Sequence, residues 1–254
     1  MRRLPIVPLI AVLVLCFEAR ADEIKFEPTS AQKDYPRVKA ARGRRYGGIK
    51  ELFQKHGIDY PPKQVLLRAF KHEDELELWA RPVGKKKYTL IKTYEICCKS
   101  GVLGPKRRQG DLQVPEGFYR VVEFNPWSSF LLSMKINYPN PSDTIRGHPK
   151  HPGGLIYIHG NCVTIGCITI HDPDIEQLYL IILDTVRRRK TNALVHIFPA
   201  RMGEKGMKWL KEKYQDQPEL IRFWEEIKVG FDKFEEDHLP NRFTIWKNGA
   251  YRFR

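Results

Sequence analysis

The stretch Gly154-Leu155-Ile156-Tyr157-Ile158-His159-Gly160-Asn161-Cys162-Val163-Thr164-Ile165-Gly166-Cys167-Ile168-Thr169 sets a thiol eight residues after a histidine. A glycine stands beside each, and an apolar run leads in. The thiolate is the nucleophilic form of cysteine, and a free thiol is mostly protonated near neutral pH. An imidazole that takes the proton removes that limit. A short strand ending at His159 and a loop returning to Cys167 are expected to bring the two side chains face to face.

The N-terminus bears on how the cysteines are read. Met1-Arg2-Arg3 is a short basic region, and Leu4 to Phe17 is apolar apart from Pro5 and Pro8. Ala19-Arg20-Ala21 supplies the small residues of a signal peptidase site. The apolar run is shorter than the roughly 20 residues that span a bilayer, so residues 1–21 read as a cleaved signal peptide and not as an anchor. Cys16 follows Leu15, which is too bulky for a lipoprotein site. The expected location is the periplasm. Removing residues 1–21 takes away Arg2, Arg3 and Arg20 against Glu18, so the formal charge of +14 falls to +12. Such a basic surface suits an anionic partner such as a carboxylate-rich polymer. Export and the scattered distribution of charge argue against nucleic acid.

Cys97, Cys98, Cys162 and Cys167 remain after processing. Four cysteines in an exported chain allow two disulfides, but a mature length of about 230 residues buries a core without staples. Adjacent Cys97 and Cys98 cannot bond each other without strain. A Cys162–Cys167 disulfide stays open as an alternative and would silence the thiol. Zinc on His159, Cys162, Cys167 and His171 is another, although the paired C-x2-C spacing of structural zinc sites is missing. The leading reading is a catalytic thiol with no metal and no cofactor.

Residues 22–62 form a basic N-terminal segment, with Arg42-Gly43-Arg44-Arg45 and Gly47-Gly48 as a flexible stretch and a short helix at Ile49–Lys55. From residue 63 to about 202 the pattern is mainly β. Val65–Phe70, Glu75–Ala80, Tyr88–Ile96, Gly117–Phe124, Phe130–Ile136, Leu155–His159 and Ala193–Phe198 read as strands between Gly- and Pro-containing turns. Short strands with few helices imply a sandwich or rolled barrel. One helix is clear, because Ile175, Leu178, Tyr179, Ile182, Leu183 and Val186 share one face of a 3.6-residue period. Asp172 is its expected N-cap and Pro173 its first residue. His196 reads as structural. Residues 203–254 form a separate C-terminal layer of one or two aromatic-rich helices and a short strand pair. Trp209 and Trp224 there suit packing, or a groove for sugar rings.

Gly104-Pro105-Lys106-Arg107-Arg108-Gln109-Gly110-Asp111, Val114-Pro115-Glu116-Gly117-Phe118-Tyr119, Ile136-Asn137-Tyr138-Pro139-Asn140 and the His159–Cys167 block together resemble the L,D-transpeptidase family. The resemblance is to its YafK-like branch of exported murein enzymes with a YkuD-type catalytic domain. It implies a mainly β fold with α: a β-sandwich or rolled barrel with one packed helix and a helical C-terminal extension. In that family a cysteine in a Ser/Thr-x-Gly-Cys turn works with an upstream histidine. The matching positions are Thr164, Gly166 and Cys167, with His159 as base. Ile165 and Thr169 depart from the commoner pattern, which has His and Arg or Asn at those places.

The resemblance implies acyl transfer at meso-diaminopimelate in peptidoglycan stem peptides through a thioester on Cys167. The carbonyl of Gly160 would hold the imidazole in its useful tautomer, and the N–H groups of Gly166 and Cys167 would form the oxyanion hole. Asn161, Thr164, Thr169, Lys106 and Arg107 are the candidate substrate contacts. Two alternatives stand beside transfer. One is hydrolysis by the same site, including cleavage of links between the wall and a murein-attached lipoprotein. The other is a wall-binding protein without catalysis.

Overall fold

The computed structural model describes residues 33–254, so the expected signal peptide lies outside the described residues. The chain runs α1 (Pro36–Lys55), β1 (Gln64–Phe70), β2 (Glu75–Arg81), β3 (Thr89–Cys98), β4 (Gly117–Asn125), β5 (Ser133–Ile136) and α2 (Pro141–Arg146). It continues with β6 (Tyr157–His159), β7 (Ile168–Ile170), α3 (Asp172–Arg189), β8 (Leu194–Phe198), α4 (Glu204–Lys213), α5 (Pro218–Asp237), β9 (Phe243–Ile245) and β10 (Tyr251–Phe253). Strands β1 to β8 close into a barrel in the order β1-β2-β3-β7-β6-β5-β4-β8. Closure leaves no edge strand unpaired. The pairings are antiparallel except β1 with β8 and β6 with β7. The fold is therefore mainly β with α, as the strand pattern implies.

One apolar core joins the barrel to α1 and α3. Val65, Leu67, Leu76, Leu78, Ile158, Ile168 and Ile170 pack with Leu178, Tyr179 and Ile182 of α3. Burial of α3 goes further than one face, because Leu180 and Ile181 are also buried. Helix α1 covers that second side, adding Val38, Ala41, Ile49 and Phe53 to the same core. Tyr60 reinforces the junction by donating to Asp184 Oδ2 at 2.8 Å.

This layer corrects the expectation of a flexible N-terminal stretch. Arg42-Gly43-Arg44-Arg45 and Gly47-Gly48 lie inside the helix α1. Glycines cost a helix about 1 kcal/mol each, and tertiary ion pairs offset that here. Arg42 makes a two-pronged contact with Asp184, while Arg44 and Arg45 both reach the buried Glu176. The cap of α3 is also corrected. Its N-cap is His171, and Asp172 is the first helical residue, its carboxylate turned to the loop before β7.

The C-terminal region packs an apolar cluster of its own, with Met207, Leu210, Phe223, Trp224 and Ile227 against Phe70, Phe118 and Phe198, and buried polar contacts tie it to the barrel. Arg68 of β1, only 1% exposed, reaches Glu235 of α5 at 2.7 Å. Trp224 of α5 is fully buried and donates to Glu116 Oε2 at 2.8 Å. That position rules out Trp224 as the wall of a sugar groove. Glu116 Oε1 also accepts from Lys71 Nζ at 2.9 Å and from the Gly104 N–H at 2.7 Å. One buried carboxylate thus ties the residue after β1, the Gly104-Pro105 turn and α5 together. Among the described residues, no helix is long and apolar enough to cross a membrane.

Candidate active site

Strands β6 and β7 run parallel, with Ile158 opposite Ile168 and His159 opposite Thr169. Parallel neighbours ordinarily need a crossover of about a dozen residues or more. Here residues 160–167 alone make the link. Extending the register one position sets Cys167 beside Tyr157, on the strand face that Tyr157 shares with His159. The contact agrees, since the Tyr157 N–H donates to Cys167 Sγ at 3.4 Å.

The loop is held by specific devices. Gly160 sits where a Cβ would come within 2.7 Å of Asp172 Oδ1 and 2.8 Å of Ile175 Cγ2. Asn161 takes a left-handed φ of 57°, which asparagine tolerates better than most residues, and its N–H donates to Asp172 Oδ1 at 2.8 Å. Gly166 has a φ of 135°, open to glycine without strain. The Cys97–Cys162 disulfide ties the middle of the loop to the end of β3. Cys98 and Cys167 are free thiols. The disulfide uses Cys162, so neither the Cys162–Cys167 bond nor the zinc set that included Cys162 exists in this structure.

His159 is 2% exposed and stacks on Phe130 with ring centroids 4.5 Å apart. Its Nδ1 lies 2.6 Å from the Gly160 carbonyl oxygen. A carbonyl oxygen only accepts, so Nδ1 carries the proton and Nε2 keeps the basic lone pair. Burial pushes the imidazole below its ordinary range, outweighing the Gly160 contact that pulls it up. Cys167 is half-buried, and burial pushes its thiol up, against the Tyr157 N–H and the Lys106 charge. Both shifts favour uncharged groups.

Thr164 organises the approach to Cys167. Its hydroxyl accepts from the Cys167 N–H at 2.7 Å and the Gly166 N–H at 3.1 Å, and donates to the Cys167 carbonyl at 3.0 Å. A hydroxyl has one donor and two acceptor sites, so its capacity is used. The two N–H groups expected to form an oxyanion hole are occupied by Thr164 in this state.

The remaining expected contacts fall into two groups. Asn161 is exposed at the rim of the loop. Thr169, expected at the substrate, is fully buried in β7 and donates to the Cys98 carbonyl at 2.9 Å. Its burial follows from the β3–β7 pairing, where Cys98 stands opposite Thr169. Lys106 is likewise buried and bonded to Asp111 and to the Arg108 carbonyl. Arg107 pairs with Asp143 at 3.3 Å and lies over Phe223. The Lys106 ammonium and the Arg107 backbone N–H both bond Asp111 and so hold the turn, and Lys106 keeps an electrostatic influence on Cys167. His196 is buried in β8 against Phe118. Phe130, the Tyr157 N–H and Asp172 are site components that the sequence reading missed. Only Asp172, an acid beside the helix start, left a signal there.

The YkuD family, the L,D-transpeptidase catalytic domain, matches residues 75–197. The protein named "Putative L,D-transpeptidase YafK" from Escherichia coli K12 is 35% identical over 189 residues, which make up 74% of this chain and 72% of that one. The chain belongs to the L,D-transpeptidase family. Solved structures show more distant likeness. The helical cell shape determining protein Pgp2 from Campylobacter jejuni is 21% identical with a TM-score of 0.44, over 54% of this chain and 48% of that chain. Mycobacterium tuberculosis L,D-transpeptidase 1 is 12% identical with a TM-score of 0.30, over 53% and 61%. This chain thus spans about half of Pgp2.

Within the family match lie His159, Gly160, Thr164, Gly166 and Cys167, together with both halves of the disulfide. The α4 and α5 helices and the β9–β10 pair lie beyond it.

Proposed function

We propose that this L,D-transpeptidase family member is an exported, cysteine-dependent acyl-transfer enzyme acting on peptidoglycan stem peptides at meso-diaminopimelate. The observation that carries the reading is the His159 Nδ1 contact with the Gly160 carbonyl at 2.6 Å, which leaves Nε2 as the base on the strand face shared with Cys167. A wall-binding module has no use for a fixed tautomer beside a half-buried thiol.

The chemistry follows from a neutral pair. His159 Nε2 takes the thiol proton as Cys167 Sγ attacks the peptide carbonyl carbon. The Tyr157 N–H stabilises negative charge on the sulfur before the new bond forms. As the C–N bond breaks, the imidazolium returns its proton to the departing amine. A thioester remains on Cys167. An amine then accepts the acyl group in transfer, or water accepts it in hydrolysis, with His159 again as base. For the oxyanion to meet the N–H groups of Gly166 and Cys167, the Thr164 hydroxyl must first release them. The site would work in the periplasm after residues 1–21 are removed.

The test is to incubate the protein and its Cys167→Ala variant with diaminopimelate-containing murein fragments, with and without an amine acceptor. New cross-links are expected from the unaltered protein alone. Loss of cross-linked or lipoprotein-linked species without new links would assign hydrolysis instead. Full activity of Cys167→Ala would overturn the mechanism.

A further inference from the structure

A cavity of about 240 Å³ opens beside Cys167. Ile96, Leu103 and Val114 give it apolar walls, and Lys71, Lys99 and Lys213 bring positive charge to it. Two of those charges are already committed. Lys71 Nζ reaches Glu116 and the carbonyls of Gly104 and Val114, all at 2.8–2.9 Å. Lys99 pairs with Asp74 at 2.7 Å, and Asp74 is the one acid in the lining. Lys213 differs. Its ammonium lies 4.8 Å from the Trp209 ring centroid and 5.9 Å from that of Tyr214, and no carboxylate pairs with it among the described residues. Lys213 is exposed, and the two rings flank its cation without neutralising it.

We infer that this cavity is a subsite for a carboxylate carried on a short aliphatic chain of the acyl donor, with Lys213 as the charge that selects it. The inference rests on Cys167 being the nucleophile, since the cavity matters to specificity only if chemistry happens at its edge. The apolar walls suit methylene groups and the volume admits a single residue's side chain. After the Lys71–Glu116 and Lys99–Asp74 pairs cancel, one positive charge remains, which matches one carboxylate. Lys213 and Tyr214 lie beyond the segment matched by the family, residues 75–197. The C-terminal extension thus supplies a specificity wall to a catalytic centre that the barrel supplies.

The test reads charge selection at Cys167 itself, independently of any murein substrate. Iodoacetate and iodoacetamide both alkylate a thiolate with loss of iodide, but only the first carries a carboxylate. Rates are measured on the full chain by the mass of the Cys167-containing peptide, so that Cys98 does not confuse the reading. The ratio of iodoacetate to iodoacetamide rates is expected to fall about fivefold in Lys213→Gln, the scale of one partly exposed ion pair. It is expected to fall further in Lys213→Glu. Lys208→Glu, the same charge change elsewhere on α4, is expected to leave the ratio unchanged. In turnover, Lys213→Gln should raise KM for a carboxylate-bearing donor and leave its amidated counterpart unaffected. An unchanged alkylation ratio in both Lys213 variants would overturn the subsite. A changed ratio with no turnover of any murein peptide would retain the subsite and remove the proposed reaction.

Discussion

The backbone N–H of Tyr157 donates to the sulfur of Cys167 across the β6–β7 pair, at 3.4 Å. This is a main-chain contact, so no substitution of the Tyr157 side chain removes it. Alone it does not overcome burial, which keeps the thiol above its ordinary range. Iodoacetamide labelling of Cys167 should therefore climb with an apparent pKa above the free-thiol value of about 8.5. Turnover needs neutral His159, whose pKa is lowered, so its acid limb should lie below about 6.5. Fast labelling that persists into the acid range would show a preformed thiolate–imidazolium pair and contradict the neutral one.

Thr164 should behave as a structural hydroxyl that also controls the oxyanion donors. Thr164→Val leaves the Gly166 and Cys167 N–H groups without their partner and is expected to cost about 1–3 kcal/mol in urea unfolding. Thr164→Ser keeps the hydroxyl and should recover most of that loss. Equal stability of the valine and serine variants would remove the role assigned to the hydroxyl.

The disulfide closes a sequence separation of 65 residues. Loop-closure entropy for that length corresponds to about 4 kcal/mol. The Cys97→Ser/Cys162→Ser double variant should lose stability on this scale, and reductant should have no further effect on it. Turnover should fall as well, because Cys162 shares the loop with Cys167. A double variant as stable and as active as the parent would mean that the tie to β3 does neither job.

Glu116→Gln leaves the Lys71 ammonium buried without its counter-charge. Breaking one side of a buried pair costs about 3–5 kcal/mol, and thermal unfolding should show a loss of this size. Adding Lys71→Met to it should recover part of the loss, giving a double-variant cost well below the sum of the singles. Simple additivity would show that the two groups do not act as a pair.

His196 should make the fold acid-sensitive. Burial, with the Arg68 charge adding to it, lowers this imidazole to about 3. Unfolded, it binds a proton below about 6.5. Between those values the unfolded chain holds more protons, so stability falls as pH drops through that window, by on the order of 5 kcal/mol in all. His196→Leu should flatten that slope whatever its effect on stability at neutral pH. An unchanged slope in urea unfolding at pH 4 and pH 7 would assign the sensitivity to another group.

The barrel was largely legible because alternation and turn residues mark β1 to β4 and β8 directly. Ile168–Ile170 is too short to show a period, and Asn140 with Asp143 forms a reciprocal cap that only its geometry exposes. Helix α1 was hidden for a different reason. Gly43, Gly47 and Gly48 weaken its local preference, while the contacts that stabilise it come from Asp184 and Glu176, more than a hundred residues away. At the site, His159 and Cys167 with their neighbouring glycines could be singled out as candidates from spacing, and Thr164 through the resemblance to the L,D-transpeptidase family. The pairing of Cys97 with Cys162 could not, because counting thiols does not say which strand lies beside the loop. Nor could the use of the Thr164 hydroxyl, since a threonine in a turn reads equally as a contact for substrate.

Strand β1 sits between β2 and β8, yet it precedes the YkuD catalytic-domain match, which begins at residue 75. A fragment cut to residues 75–197 would lose that stave, and the backbone N–H and C=O groups of both neighbours would be left bare along two seams. The barrel that carries the site is consequently larger than residues 75–197. Any chimera that transplants the His159–Cys167 chemistry into another chain must carry Gln64–Phe70 with it, or the staves will seek strands from other molecules.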